Sequence, residues 1–126
     1  MNADAHDPRQ PGAGAEAGDL ALIPLGGTGE IGMNLNVYRC DGALLAVDCG
    51  IGFGGPDNPE VDVMVPDPAW LADRRDRLVG LIVTHAHEDH VGAVAHLWPQ
   101  LKCPVYAGPF VSAVLRRKLG EAGLLS

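Results

Sequence analysis

Apolar residues recur in short runs along the chain, and their pattern predicts a mixed α/β fold. Runs of about four to eight apolar or alternating residues, bounded by Gly, Pro, Asn or Asp, are typical of strands. On this basis we predict five strands, at residues 20–25, 33–38, 43–47, 78–83 and 103–107. Asp41-Gly42 separates the second strand from the third and predicts a tight hairpin turn with positive φ.

Helical spacing occurs in three other segments. One apolar stripe has the i, i+3, i+4, i+7 spacing of a helix and consists of Val91, Val94, Ala95 and Trp98. We expect Pro99 to terminate this helix, because proline disrupts a helix interior. Asp67-Pro68 has the form of an N-cap and first residue for a helix at 69–77. Pro109 opens a further helix that runs to about Glu121.

The segments between these elements are rich in Gly, Pro and acidic residues. Residues 1–18 have no apolar periodicity, so we expect a disordered N-terminal tail. Residues 50–68 predict a long surface loop with a short extended piece at 61–65. Every apolar run is far shorter than the roughly 20 residues of a membrane span, and the polar N-terminus lacks the apolar centre of a signal peptide. We therefore expect a cytoplasmic protein with no membrane contact.

Charge and cysteine content exclude several classes of function. The net charge of −7 is concentrated in two segments: residues 1–19 carry four acids against one arginine, and residues 50–68 carry four acids and no cation. The chain thus offers no basic surface for non-specific nucleic-acid binding. Cys40, Cys49 and Cys103 are odd in number and far apart, which argues against a disulfide framework and a cysteine zinc site. We expect them to be reduced and largely buried.

Three of the five histidines lie within six residues, in the segment THAHEDH at 84–90, directly after the fourth predicted strand. In an extended turn alternate side chains point the same way, so His85 and His87 can present two imidazoles to one cation. A helix beginning near Asp89 would turn Asp89 and His90 towards a second position about 3.5–4 Å from the first, the spacing of two-metal hydrolytic sites. The segment therefore predicts ligands for two divalent metal ions. Imidazole and carboxylate donors favour Zn²⁺, with Mn²⁺ as the alternative.

The other interpretation of this segment is a solvated polar loop at the end of a buried strand. The spacing His-x-His-x-Asp-His favours metal chelation over that interpretation. His96 lies away from the apolar stripe of its helix, and we expect it to be exposed.

Two further patterns admit more than one interpretation. Asp48 ends a predicted buried strand, where a carboxylate either caps loop amides or belongs to a site. Residues 27–32 fit G-x-G-x-x-G, and Asp48 lies near the distance at which a dinucleotide fold places its ribose-binding acid. Such a fold needs a crossover of about ten or more residues between its first two parallel strands. Here the chain alternates like a strand and turns back through Asp41-Gly42, so we reject dinucleotide binding.

Several stretches carry a resemblance to a known family. They are LGGTGEIGMN at 25–34, VDCG at 47–50, VD at 61–62, VPD at 65–67 and THAHEDHVGA at 84–93. Together they are similar to ribonuclease J, a bacterial family of the β-CASP group within the metallo-β-lactamase fold. The resemblance covers about residues 20–125 and implies an αββα sandwich. Residues 19–126 would form only the N-terminal half of that domain, with the β-CASP and C-terminal parts absent and one face of the sheet uncovered.

The resemblance also implies a role for each residue of the histidine-rich segment. His85 and His87 would bind the first metal ion, Asp89 and His90 the second, and the last two would act in catalysis. Asp48 would hold the metal-binding segment by hydrogen bonds without being a ligand. The reaction would be hydrolysis of RNA phosphodiesters by two divalent metals, both internally and from the 5′ end. RNA would be the partner, and the full-length protein could form an oligomer.

The ligand set implied by the resemblance is incomplete in this chain. Four ligands are present for two ions that take about four each, and no histidine follows His96. We therefore expect the chain alone to be inactive. Two other functions stay open: a metallo-β-lactamase-fold hydrolase acting on a small ester or thioester, and a non-catalytic fragment that binds a metal or a partner through its uncovered sheet.

Overall fold

A computed structural model describes residues 19–54 and 59–125 and confirms the mixed α/β class. The expected tail at 1–18 lies outside the described residues. The five strands are β1 (Leu20–Gly26), β2 (Leu35–Cys40), β3 (Ala43–Val47), β4 (Leu78–Val83) and β5 (Val105–Ala107). The helices are α1 (Ala69–Ala72), a 3₁₀ turn (Arg75–Arg77), α2 (Glu88–Val91), α3 (Val94–Leu101) and α4 (Pro109–Glu121).

The strands form one sheet in the order β1-β2-β3-β4-β5. β2 pairs antiparallel with both β1 and β3, whereas β3, β4 and β5 run parallel to one another. The predicted hairpin between β2 and β3 is confirmed, with φ of 51° at Asp41 and 83° at Gly42. The antiparallel pairing of β1 with β2 excludes the dinucleotide-binding arrangement at residues 27–32, because that arrangement requires parallel strands there.

One face of the sheet is covered by the helices. Alternate residues of a strand point to opposite faces, so each strand places every second side chain in the core. The buried strand residues include Ile23, Leu35, Val37, Leu44, Ala46, Leu81 and Val83. They pack against Leu71, Val91, Val94, Leu97, Leu101, Val111 and Leu115 from the helices. Burying each such Leu, Ile or Val side chain contributes about 1.5–3 kcal/mol, and this core positions the ends of β3 and β4.

The opposite face of the sheet carries large side chains that stay exposed in the described structure. Leu22 pairs with Tyr38 across β1 and β2, and Ile82 pairs with Tyr106 across β4 and β5. Leu22, Tyr38 and Tyr106 are exposed, as is Leu20 at the start of β1. We call Leu20, Leu22, Tyr38 and Tyr106 the open face. Exposed apolar side chains on one face of a sheet are typical of a surface that contacts another protein segment.

Two predicted helices differ from the structure. The helix expected at 69–77 ends as α1 at Ala72, and a separate 3₁₀ turn follows. The charged run after α1 has no apolar stripe to bury, and a short helix depends on such packing. Pro68 is the N-cap, and the carboxylate of Asp67, one residue earlier, accepts the amide hydrogen of Ala69 at 2.9 Å.

The prediction that Pro99 ends its helix was also wrong, because α3 continues through Pro99 to Leu101. Leu97 and Leu101 are buried, and their packing offsets the hydrogen bond that the proline removes. Trp98, predicted on the buried stripe, is only half-buried.

Two strands also start later in the structure than the sequence predicts. β2 starts at Leu35 because Met33 has φ of 51°, outside the strand region. β5 starts at Val105 rather than at residue 103.

The open face generates the first prediction. The chain should self-associate at micromolar concentration and bind a hydrophobic dye, because water-exposed apolar surface favours association. A Leu22→Lys, Tyr106→Lys variant should stay monomeric with an unchanged melting temperature. Sedimentation velocity and thermal melting measure both properties.

Leu44→Ala on the covered face is the matched control. It should lower the free energy of unfolding by about 2–5 kcal/mol, and the folded variant should still self-associate. A wild-type chain that is a compact monomer and binds no dye would contradict the interpretation of the open face as a contact surface.

Candidate metal centre

Residues 84–90, here called the metal turn, comprise the connection after β4 and the first three residues of α2. His85 and His87 lie in the extended part of the turn, and His87 is the N-cap of α2 with φ −66° and ψ 143°. Asp89 and His90 lie in the first turn of α2, where the amide of His90 donates to the carbonyl of His87 at 2.9 Å. The helix predicted to begin near Asp89 begins at Glu88. The change from extended to helical backbone thus falls between the two predicted ligand pairs.

Asp48 at the end of β3 is the buried partner of this turn. Asp48 is only 7% exposed. Its Oδ1 accepts hydrogen bonds from the Thr84 amide at 2.8 Å and from the Thr84 hydroxyl at 2.9 Å. Its Oδ2 lies 2.8 Å from Nδ1 of His90. β3 and β4 are adjacent parallel strands, so their carboxyl ends meet at one edge of the sheet. The capping of a loop amide by Asp48 is therefore observed, and the same carboxylate contacts a candidate site histidine.

These hydrogen bonds set the tautomers of two histidines. An ionised carboxylate only accepts, so Nδ1 of His90 carries the hydrogen, and in the neutral ring Nε2 keeps its lone pair. The single hydroxyl hydrogen of Thr84 goes to the Asp48 carboxylate, so the Thr84 oxygen accepts Nδ1–H of His85 at 2.9 Å. Nε2 of His85 then also has a free lone pair that can bind a metal ion. One buried carboxylate thereby prepares both rings for a metal ion, as hydrogen-bonding partners of metal ligands commonly do.

The four predicted ligands lie close together. The ring centroids of His85 and His90 are 3.9 Å apart, and those of His85 and His87 are 4.8 Å apart. Asp89 Oδ2 lies 3.5 Å from Nε2 of His90. Imidazole nitrogens and a carboxylate fit a divalent metal in chemical kind. Within residues 19–54 and 59–125, however, no three His, Cys, Asp or Glu side chains are arranged to hold a metal ion together.

The backbone of the metal turn is held by two neighbouring loops. Asn34 donates both its amide and its side-chain NH₂ to the carbonyl of Asp89, at 3.1 and 2.9 Å. Its NH₂ also lies 3.4 Å from Nε2 of His90, where it can contact the free lone pair. The amide of Cys49 donates to the carbonyl of His90 at 2.8 Å. A side chain at Gly50 would overlap the carbonyl of Asp89, so this position requires glycine.

Sequence reasoning assigned no role to Thr84, Asn34 or Gly50 in holding the turn. Each lies in a stretch that carries the family resemblance, and that location was the only signal for them. Their contacts join residues up to 55 positions apart, as between Asn34 and Asp89, and no local pattern reports such pairs.

Glu88 points away from the candidate ligands. Its carboxylate lies 2.5 Å from Nζ of Lys118 on α4, and both side chains are partly exposed. A partly exposed pair of this kind contributes about 0–1 kcal/mol. Glu88 therefore occupies a surface position, where it is the ion-pair partner of Lys118.

The cysteines do not add ligands. Cys49 and Cys103 are buried and Cys40 is exposed, and all three are free thiols, so the expectation of burial was wrong for Cys40. Cys40 ends β2 next to the hairpin turn, where the sheet is open to solvent. Burial, with Cys103 and Asp48 nearby, raises the pKa of the Cys49 thiol to about 12. Cys49 therefore stays neutral beside the metal turn, and a neutral thiol is a poor metal ligand.

The comparison with known families decides the membership of the chain. The Metallo-beta-lactamase superfamily matches residues 35–121, which include β2 to α4 and the whole metal turn. This chain belongs to the metallo-β-lactamase superfamily. Membership confirms the predicted fold class and implies that the protein binds a divalent metal.

Curated relatives support the narrower resemblance. The chain is 49% identical over 108 residues to ribonuclease J of Sinorhizobium meliloti, covering 82% of this chain and 19% of the relative. It is 42% identical over 107 residues to ribonuclease J of a Synechocystis strain, covering 84% and 17%. The predicted resemblance to ribonuclease J is confirmed, and the chain spans less than a fifth of the length of these relatives.

A solved structure supports the fold alone. Human tRNase Z, short form, aligns with a TM-score of 0.53 and 18% identity, covering 84% of this chain and 41% of that one. Separately, none of the helices in the described part of the chain is long and apolar enough to cross a membrane.

The metal turn generates the second prediction. Calorimetric titration with Zn²⁺ or Mn²⁺ should show uptake that is weak compared with a complete site and is lost in a His85→Ala, His87→Ala variant. The loss follows because two of the four clustered donors are removed. Asp48→Ala should weaken uptake by about 10–100-fold, since it frees both rings to rotate.

His96→Ala is the control, because His96 is exposed on α3 outside the metal turn. It should leave metal uptake unchanged. Equal uptake by wild type and the double variant would show that the metal turn is not the binding site.

Proposed function

We propose that this chain is part of a metal-dependent RNA phosphodiester hydrolase of the ribonuclease J type. Such an enzyme would act as an endonuclease and as a 5′-to-3′ exonuclease, in the RNA processing and decay of the cytoplasm. The observation that carries the proposal is a His-x-His-x-Asp-His turn held by a buried carboxylate, in a chain 38–49% identical to ribonuclease J proteins. Fold similarity alone would not distinguish among the hydrolases of this superfamily.

In this proposal the four clustered side chains divide between two metal ions. His85 and His87 would hold one ion, and Asp89 and His90 the other, with Zn²⁺ as the first candidate and Mn²⁺ as the alternative. When bound, such ions activate water and offset charge on the phosphate. Asp48 would orient His90 directly and His85 through Thr84. Asn34 would keep the carbonyl of Asp89 in place.

The proposed role of the chain is to supply one part of a larger active site. Two metal ions take about four ligands each, and the metal turn offers four in total. We infer that the remaining ligands and the RNA-binding surface come from other regions of a full-length protein, which could be an oligomer. The chain by itself would then be inactive.

Electrostatics supports metal ions as the contact with the RNA phosphates. The net charge is −7, and the metal turn contains Glu88 and Asp89. An RNA strand approaching this surface meets repulsion unless bound cations offset it. Lys118, the cation that contacts the metal turn, is already paired with Glu88.

Two other functions remain candidates on specific observations. An apolar cavity beside the metal turn, lined by Ile51, Phe53 and Ala86 among others, would suit a small ester or thioester. The open face would suit a non-catalytic fragment that binds a partner. Both lack the combined support of the metal turn and the ribonuclease J relatives.

The third prediction tests catalysis in a chimera. This chain would replace the matching segment of the Sinorhizobium meliloti ribonuclease J, and cleavage of 5′-labelled single-stranded RNA would be followed with chelator and metal add-back. The chimera should cleave RNA only with metal, and His87→Ala or Asp89→Ala should abolish turnover. Removing a metal ligand removes a contribution of several kcal/mol to lowering the barrier.

The Asp48→Ala chimera should lose activity at a low metal concentration and regain part of it at a high one, because the substitution weakens metal affinity. His96→Ala should match the parent chimera. RNA turnover that survives chelation or the loss of Asp89 would contradict the proposal, and turnover of small esters alone would favour the other hydrolase.

A further inference from the structure

An ion pair joins the metal turn to the last turn of α4. Nζ of Lys118 lies 2.5 Å from Oε1 of Glu88, although the two residues are 30 positions apart in the chain. Glu88 is the first residue of α2 and lies between His87 and Asp89, which are both candidate metal ligands. The pair therefore ties a cation on α4 to the one acidic side chain of the metal turn that has no assigned ligand role.

Folding stability is a weak explanation for this pair. The side chain of Lys118 is 30% exposed and that of Glu88 is 46% exposed. An ion pair that water reaches contributes little to stability, because water screens the charges and two long side chains must be ordered. The consequence of the pair lies instead in where it places the Glu88 carboxylate.

Gly92 lies on the other side of the Glu88 carboxylate. A Cβ at position 92 would lie 2.6 Å from Oε2 of Glu88 and 2.6 Å from its carbonyl oxygen, so a larger residue would displace both. The carbonyl is itself held, since it accepts the amides of Ile51 and Gly92 at 2.9 and 2.8 Å. The Glu88 carboxylate thus lies between Gly92 and Lys118, on the side of α2 that contacts α4.

A free carboxylate at position 88 would compete for a metal ion. Carboxylate oxygens bind both Zn²⁺ and Mn²⁺, and the long Glu88 side chain is adjacent in sequence to two candidate ligands. Such a ligand would occupy a coordination position that catalytic metal sites leave open for water or substrate. The ammonium group of Lys118 offers the carboxylate another cation and a charge-assisted hydrogen bond.

We propose that Lys118 is a positioning residue that holds the Glu88 carboxylate away from the candidate ligands, so that a metal ion bound at the metal turn is not ligated by Glu88. The inference rests on the metal assignment of the proposed function, and it adds a residue of α4 to the side chains that shape the site. It also explains how an acidic residue can lie inside the His-x-His-x-Asp-His segment without becoming a ligand.

The fourth prediction uses the whole chain and NMR of side-chain carboxylate carbons. In the wild type, saturating Zn²⁺ should shift the Nε2 signals of His85 and His90 and leave the carboxylate carbon signal of Glu88 unmoved. In Lys118→Ala, Zn²⁺ should also shift the Glu88 signal. It should bind about fivefold more tightly or more, because the freed carboxylate attracts the cation and the lysine no longer repels it. Lys118→Arg should behave as the wild type does, because the cation is retained.

Arg117→Ala is the matched control. The Arg117 side chain is 84% exposed and pairs with Glu121, so its loss changes the net charge equally without freeing Glu88. It should leave the Glu88 signal and the Zn²⁺ affinity as in the wild type. Glu88→Gln combined with Lys118→Ala should also return the affinity to the wild-type value, because the opposite charges are removed together and a neutral amide is a poor ligand.

Three results would each overturn the inference. They are a Glu88 signal that Zn²⁺ shifts in the wild type, a Glu88 signal that stays unmoved in Lys118→Ala, and equal effects of Arg117→Ala and Lys118→Ala. If Zn²⁺ shifts no histidine signal of the metal turn, the inference and the metal assignment fail together. Lys118→Met keeps most of the side-chain length without the charge, and it replaces Lys118→Ala if the alanine variant does not fold.

The chimera separates this inference from the proposed function. Lys118→Ala should lower kcat for RNA by about 10-fold or more with little change in KM, and adding Glu88→Gln should restore kcat. If the chimera cleaves RNA and Lys118→Ala behaves as the parent does, the inference is wrong and the proposed function stands. If the parent chimera cleaves no RNA while the Glu88 signal responds to Zn²⁺ as expected, the proposed function fails and the inference stands.

Discussion

The buried carboxylate of Asp48 is the constraint on which the candidate site depends. A carboxylate removed from water is costly unless donors surround it. Here every donor comes from the metal turn: the amide and hydroxyl of Thr84 and Nδ1 of His90. The end of β3 therefore fixes the position of the turn that follows β4. The buried core on the covered face of the sheet holds the ends of β3 and β4 in place. The Asp48 carboxylate at this edge therefore orients two imidazoles, that of His90 directly and that of His85 through Thr84.

Much of this arrangement could be predicted from local sequence. Continuous apolar runs predicted β3 and β4 with the observed bounds, Asp41-Gly42 predicted the hairpin, and Pro109 predicted the start of α4. Local signals failed where tertiary packing decided. Leu97 and Leu101 carry α3 past Pro99 through their burial. The roles of Asn34, Thr84 and Gly50 depend on contacts between distant segments, which one sequence without its fold does not reveal.

Two features of the chain have a common physical explanation. The metal turn has fewer donors than the proposed two metal ions would need, and one face of the sheet keeps large apolar side chains exposed among the described residues. In the relatives a chain segment like this one makes up 15–19% of the whole. In the proposed full-length enzyme, further chain packed on the open face would supply both the remaining ligands and the cover.

The central claim is that Asp48 prepares the imidazole of His90, and the tautomer of that ring tests it most directly. Long-range ¹H–¹⁵N NMR of the histidine rings distinguishes a protonated nitrogen from one with a free lone pair. The account predicts hydrogen on Nδ1 of His90, a free Nε2, and a shift of the Nε2 signal when Zn²⁺ is added. In Asp48→Ala the tautomer preference should disappear. Hydrogen on Nε2 in the wild type, or an Nε2 signal unmoved by Zn²⁺, would contradict the account.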